Sequence, residues 1–112
     1  NAKIFFSSIN INNNFPDIIK VFDERIIENS ANVTEVKVSE YTDDQILVYS
    51  RMFTYVGNAP SNVQFYLTDS TSNFLAGSLF FNTEPNYDSL LPYINHIKAD
   101  VKKLIENFDW NK

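Results

Sequence analysis

Three apolar runs follow one another with almost nothing between them. Residues 46–56 ("ILVYSRMFTYV"), 63–68 ("VQFYLT") and 73–82 ("NFLAGSLFFN") are separated only by "GNAPSN" and "DSTS". A parallel crossover needs about a dozen residues or more, so these runs must be antiparallel neighbours in a meander. Alternation assigns their faces. In the first run Ile46, Val48, Met52 and Val56 share one face and Leu47, Tyr49, Phe53 and Tyr55 the other. In the second, Val63, Phe65 and Leu67 oppose Gln64, Tyr66 and Thr68, which predicts a half-buried strand. In the third, Leu75, Leu79 and Phe81 oppose Phe74, Ala76, Ser78 and Phe80. Gly77, in mid-strand, predicts a bulge or the close approach of a packed helix.

Two further strands and two helices complete the reading. "AKIFFS" (2–7) predicts a first strand that ends in an Asn-rich turn over 10–14. Asn14 is then placed to cap a helix, with Pro16 and Asp17 in its first turn and Phe15, Ile18, Ile19, Phe22 and Ile26 along one stripe. "VTEVKVSEY" (33–41) alternates imperfectly and predicts an irregular or edge strand, followed by a turn over 42–45. After the loop 83–89, Asp88 or Ser89 can cap a last helix that tolerates Pro92 near its start. Its stripe is Leu91, Ile94, Ile97, Val101, Leu104 and Phe108, and about 18 helical residues would span about 27 Å, enough to cover a sheet along its strands. Trp110 is expected to pack where that helix ends.

The expected fold is therefore α+β: an antiparallel sheet of about five strands with two helices, in the order β-α-β-β-β-β-α. Either the helices lie on opposite sides of the sheet, or they share one side and leave an aromatic face open. The 112 residues read as one domain. With 44% hydrophobic residues the chain offers enough apolar surface to offset its ordering entropy. A net charge of −5 makes nucleic acid and anionic membrane surfaces poor partners. No apolar run reaches the ~18 residues of a membrane span. The first residue is Asn1 rather than Met, as expected of a trimmed or processed product.

Catalytic chemistry finds little support. Without Cys there is no thiolate nucleophile or zinc ribbon, and two Gly cannot build a phosphate-cradling loop. The one His, His96, sits beside the apolar stripe of the last helix and reads as a partly exposed helical residue, with Asp100 its only neighbour at metal-ligand spacing. No Ser lies in a Gly-x-Ser-x-Gly elbow. Carboxylate pairs could arise from Asp43 with Asp44, or from Asp69 with Glu84 or Asp88. Asp43 and Asp44, however, fall in a turn where solvated acids are ordinary. Asn32-Val33-Thr34 is a formal glycosylation triplet of low weight. Tyr49, Phe53, Tyr55, Tyr66 and Phe80 could stack on a ligand, giving a small-ligand binder or enzyme as the alternative function, but such residues more often lie under a helix.

Over 63–110 the chain resembles the gliding-motility lipoprotein GldD family. The matching string is Thr68, Asp69 and Ser70; Asn73, Phe74 and Leu75; Gly77; Phe81 and Asn82; Pro85 and Asn86; Asp88 and Ser89; and Trp110. Ala76 departs from the pattern, which has a basic residue there. The resemblance implies a membrane-anchored envelope lipoprotein on the periplasmic side, needed for gliding and for type IX protein secretion. It implies protein components of that apparatus as partners and an N-terminal lipid anchor outside these residues, with no cofactor and no catalytic set. The element order is also similar to the Mog1/PsbP-like sandwich. An interaction surface is expected at the sheet end, from Thr68, Asp69, Ser70 and Asn73 together with Asn82, Asn86 and Tyr87. If the bacterial group is as implied, Asp69-Ser70-Thr71 and Asp88-Ser89-Leu90 are similar to its O-glycosylation pattern, with Ser70 and Ser89 as acceptors.

Overall fold

A computed structural model describes residues 2–81 and 87–110. The elements are β1 (Ala2–Asn10), α1 (Phe15–Asn29), β2 (Glu35–Asp43), β3 (Val48–Val56), β4 (Val63–Thr68), β5 (Asn73–Phe81) and α2 (Tyr87–Glu106). The expected element order is the observed one. The strands form a single antiparallel sheet in the order β1-β5-β4-β3-β2, so the meander β2 to β5 is closed on one side by the first strand. β2 is an edge strand, as its interrupted alternation predicts.

Both faces carry a core. On one, α2 sets Ile94, Val101 and Ile105 against Val48, Met52, Val63, Phe65, Leu67 and Leu79. On the other, α1 sets Ile18 and Phe22 against Phe53, Tyr55, Phe74 and Ala76. The two-sided apolar strands are thus explained by a helix on each side. Tyr55, Phe65, Phe74 and Leu67 are each at most 1% exposed, and burying a side chain of this size contributes about 2 kcal/mol. β4 is buried on both faces rather than half-buried, because it is the central strand: Gln64 and Thr68 are buried, as Phe65 is on the other face.

Three local expectations change. β3 begins at Val48, since Leu47 adopts φ 55° within the turn that precedes it and cannot continue a strand. Asn14 occupies the N-cap position but its side chain turns backward, Oδ1 accepting the Asn12 amide at 2.7 Å, and makes no cap bond to the helix. Asp88 and Ser89 lie inside α2 rather than before it. The amide of Tyr87, the first helical residue, donates instead to Asn58 Oδ1 at 2.8 Å, so a distant loop caps this helix.

Strand directions give the sheet two ends. One holds the β1–α1, β2–β3 and β4–β5 turns; the other holds the β3–β4 loop and the start of α2. α2 runs the full length between them. It starts at Asn58 and finishes where Trp110 packs edge-on against Phe108 and donates Nε1–H to the Leu47 carbonyl at 2.8 Å. α1 crosses its face from the β1/β5 side, where Phe15 meets Phe74, to the β3–β4 loop, where Asn29 is pinned to Ser61.

Candidate functional site

The turn between β4 and β5 is built around Asp69. Its Oδ1 accepts the amides of Thr71, Ser72 and Asn73 at 3.0, 2.8 and 2.9 Å, and its Oδ2 accepts Asn73 Nδ2 at 3.0 Å. Thr68 closes the same turn: its hydroxyl donates to the Asn73 carbonyl at 2.7 Å and accepts the Ser70 amide at 2.9 Å. Ser70 takes φ 69°, a conformation that a non-glycine residue adopts at a cost, here held by those bonds. Partial burial pushes the Asp69 carboxyl up, but the backbone donors of Asn73, Ser72 and Thr71 and the Asn73 side chain outweigh it and bring its pKa down to about 2. Asp69 is a fixed anion in a turn.

Thr68, Asp69 and Asn73 therefore spend their polar groups inside the turn, while Ser70, Thr71 and Ser72 face solvent. The Asn-rich β1–α1 turn lies alongside, joined by the Ile11 amide to the Ser72 carbonyl at 2.8 Å. Exposed Asn12 and Asn13 are thus neighbours of Ser70 to Ser72. This neighbour escaped the sequence reading, although the pairing of Asn10 with Asn73 follows once β1 is laid beside β5.

The expected surface does not come together as one patch. Tyr87 belongs to the opposite end of the sheet, because β5 runs nine residues, about 26 Å, away from the 68–73 turn before α2 begins. Asn82 and Asn86 lie outside the described residues, as does Glu84. Ser89 is exposed on the first turn of α2, at the same far end as Tyr87. Asp69 and Asp88 are separated likewise and form no pair.

The remaining candidates have structural employment. Asp43 Oδ1 accepts the Gln45 amide, and Asp44 Oδ1 accepts the Tyr49 hydroxyl at 2.9 Å, a bond that raises the pKa of Tyr49. His96 is exposed, 3.5 Å from Asp100 one turn on. Phe53 and Tyr55 are core, and Tyr66 stacks on Phe74 at 5.1 Å beneath Phe22, so these aromatics pack α1 rather than line an open face. Tyr55 donates to Gln64 Oε1 at 2.6 Å, and burial raises its pKa to about 12. Among the described residues no cluster of His, Asp or Glu could hold a metal ion, and no helix is long and apolar enough to cross a membrane.

The fold and its ends define an α+β domain, a five-stranded antiparallel sheet clasped between two helices, with polar turns presented at the ends of the strands. The chain belongs to the family described as gliding motility lipoprotein GldD, whose model matches residues 1–110. A lipoprotein of this family is a membrane-anchored envelope protein with a role in gliding motility. No curated protein and no solved structure matches the chain. The likeness to a Mog1/PsbP-like sandwich accordingly stands on element order alone.

Proposed function

We propose that this chain is a non-catalytic interaction domain, held at the periplasmic side of a membrane by the family's lipid anchor, that contributes protein contacts to the gliding machinery and to type IX secretion. The observation that carries the reading is the β4–β5 turn within a chain matched by the family over 1–110. Its shape is held by Thr68, Asp69 and Asn73, and it offers Ser70, Thr71 and Ser72 to a partner in a fixed conformation, at little ordering cost on binding. Tyr87, at the far end of the sheet, would act separately from the turn.

Replacing Ser70 and Thr71 together by Arg tests the turn, because both are exposed and neither side chain holds it. The expected result in the gliding host is reduced spreading with a normally folded, normally abundant protein. Unchanged spreading and unchanged secretion would count against this surface. Ser70 and Ser89 remain proposed acceptors of O-linked sugar; an intact mass of the natively exported protein equal to that of the bare chain would remove them.

A further inference from the structure

The two edges of the sheet differ in how they discourage strand pairing. β2 carries Glu35, Lys37, Glu40 and Asp43, the charged residues that keep an edge solvated. β1 carries one charge, Lys3, and exposes Phe5, Phe6 and Ile9 at 58%, 51% and 38%. Its pairing with β5 uses one side of the strand; its other side is the rim of the sheet. Alternation sets Lys3, Phe5, Ser7 and Ile9 on the α1 face, and Ile4, Phe6 and Ser8 on the α2 face.

A groove lies beside the same strand on the α1 face. Because α1 crosses obliquely, it leaves β1 and the end of β5 uncovered, and a hollow of about 390 Å³ opens there, bordered by Phe5, Gln64, Ser78 and Phe80. A smaller hollow of about 190 Å³ continues it past Ile9, with Asp17 of α1 on its border. Ser7 and Arg25 border both. Lys3 and Asp17 thus stand toward opposite ends of one strand. The six residues from Lys3 to Ile9 span about 20 Å, so the two charges cannot meet within one chain.

We infer that β1 pairs with β1 of a second copy, antiparallel about a two-fold axis at Phe6, joining two five-stranded sheets into one. Phe6 is the midpoint of Ala2–Asn10, so pairing over the whole strand sets Phe6 opposite itself, Phe5 opposite Ser7, Ile4 opposite Ser8 and Lys3 opposite Ile9. Opposed residues then share a face, whereas a slip of one residue would mismatch every face. The side chains fit this register. Phe5 and Ile4 each meet a small Ser, and the Phe5 ring comes to Ser7 of the other copy, within reach of Arg25 for a cation–π contact. Lys3, the one charge on the strand, comes beside the exposed Asp17 of the other copy. A strand of unrelated sequence has no such match built into this chain, and every contact here occurs twice, as an isologous interface requires. A lone copy would leave three large apolar side chains on an unprotected rim. Growth stops at two copies, because the joined sheet ends on both sides in the charged β2.

Sedimentation of the folded chain over a concentration series tests the dimer, which is expected to dissociate on dilution and to slow hydrogen exchange along β1. The chain has no Cys, so introduced cysteines report the register. Phe6→Cys, at the axis, should cross-link under mild oxidation; Ser8→Cys, whose counterpart lies about 13 Å along the strand, should not. Lys3→Glu and Asp17→Lys, both at exposed positions, should each weaken the dimer by about fivefold with the circular dichroism unchanged, and the two together should restore it. A monomer at every concentration, protection at β2 or the helices instead of β1, equal cross-linking at Phe6 and Ser8, or a double charge swap that fails to restore association would each overturn the dimer. The turn variants do not involve β1: loss of gliding in them by a chain that stays monomeric would retain the interaction domain and remove this edge.

Discussion

The ring of Phe65 lies over Gly77, its direct partner across β4 and β5, in the space a side chain at that position would occupy. Phe65 is 1% exposed and its outer side meets Phe6 edge-on, at 5.9 Å between centroids. Gly77 thus marks neither a bulge nor a close helix: the strands stay in register, and the missing Cβ admits an aromatic ring on the α2 face.

Gly77→Ala is therefore expected to destabilise the fold by about 1–3 kcal/mol, since its methyl would overlap Phe65 Cζ and Cε1 in a packed layer. Adding Phe65→Leu should recover part of that loss, because the smaller side chain vacates the space. Urea midpoints of the two single variants and the double variant measure the coupling; strictly additive losses would contradict this packing.

The Asp69 turn makes a prediction in pH. Its folded pKa, about 2, lies below the ordinary 3.8, so ionised Asp69 stabilises the native state above the ordinary value, and that contribution is lost as pH falls from 3.8 toward 2. Asp69→Ala should cost about 2 kcal/mol at neutral pH, as expected for removing a charged acceptor from several amides. Asp69→Asn retains an acceptor oxygen and should cost less. The stability gap between the native chain and Asp69→Asn should narrow across that acid window, which denaturation at a series of pH values would show.

How much of this was legible depended on whether the information was local. The meander followed from short connections and the two helices from their apolar stripes, while strands apolar on both faces left open whether the helices share one side of the sheet or take one each. Trp110 packing at the end of α2 followed from where the apolar stripe stops. That Thr68 and Tyr87 lie at opposite ends could also have been worked out, by following the direction of β5 through its nine residues. The groove beside β1 could not, because it depends on the angle at which α1 crosses. Phe22 packs among Phe53, Tyr66 and Phe74, residues far apart in the chain, so the placement of α1 on the sheet is not local information. Asn58 as the cap of α2 was hidden for the same reason: its acceptor serves an amide 29 positions away.

Asn29 illustrates the same limit and yields a third prediction. In sequence it is one more polar residue at a helix end, yet it is 6% exposed, with Nδ2 donating to the Ser61 carbonyl at 2.6 Å and Oδ1 accepting the Ser61 amide at 3.0 Å. This pair fastens the end of α1 to the β3–β4 loop. Asn29→Leu would leave both Ser61 groups buried without partners and should cost about 2–4 kcal/mol; Asn29→Asp keeps the acceptor but buries a carboxylate oxygen against the Ser61 carbonyl and should cost at least as much. Thermal unfolding of the two variants checks the order.

Asn58→Ala provides the last test, because it separates a capping role from a packing one. Asn58 is exposed, so little apolar burial is lost with its side chain. What disappears is the acceptor for the Tyr87 amide at the start of α2, where an unsatisfied helix donor costs about 1 kcal/mol. Asn58→Asp should retain the bond and add a negative charge beside the positive end of the helix dipole, leaving stability at or above that of the native chain. Hydrogen exchange should accelerate in the first turn of α2 for the Ala variant while Val101 and Ile105 stay protected. Acceleration spread evenly over the whole helix, or equal losses in the Ala and Asp variants, would show that the loop supports α2 by some means other than this bond.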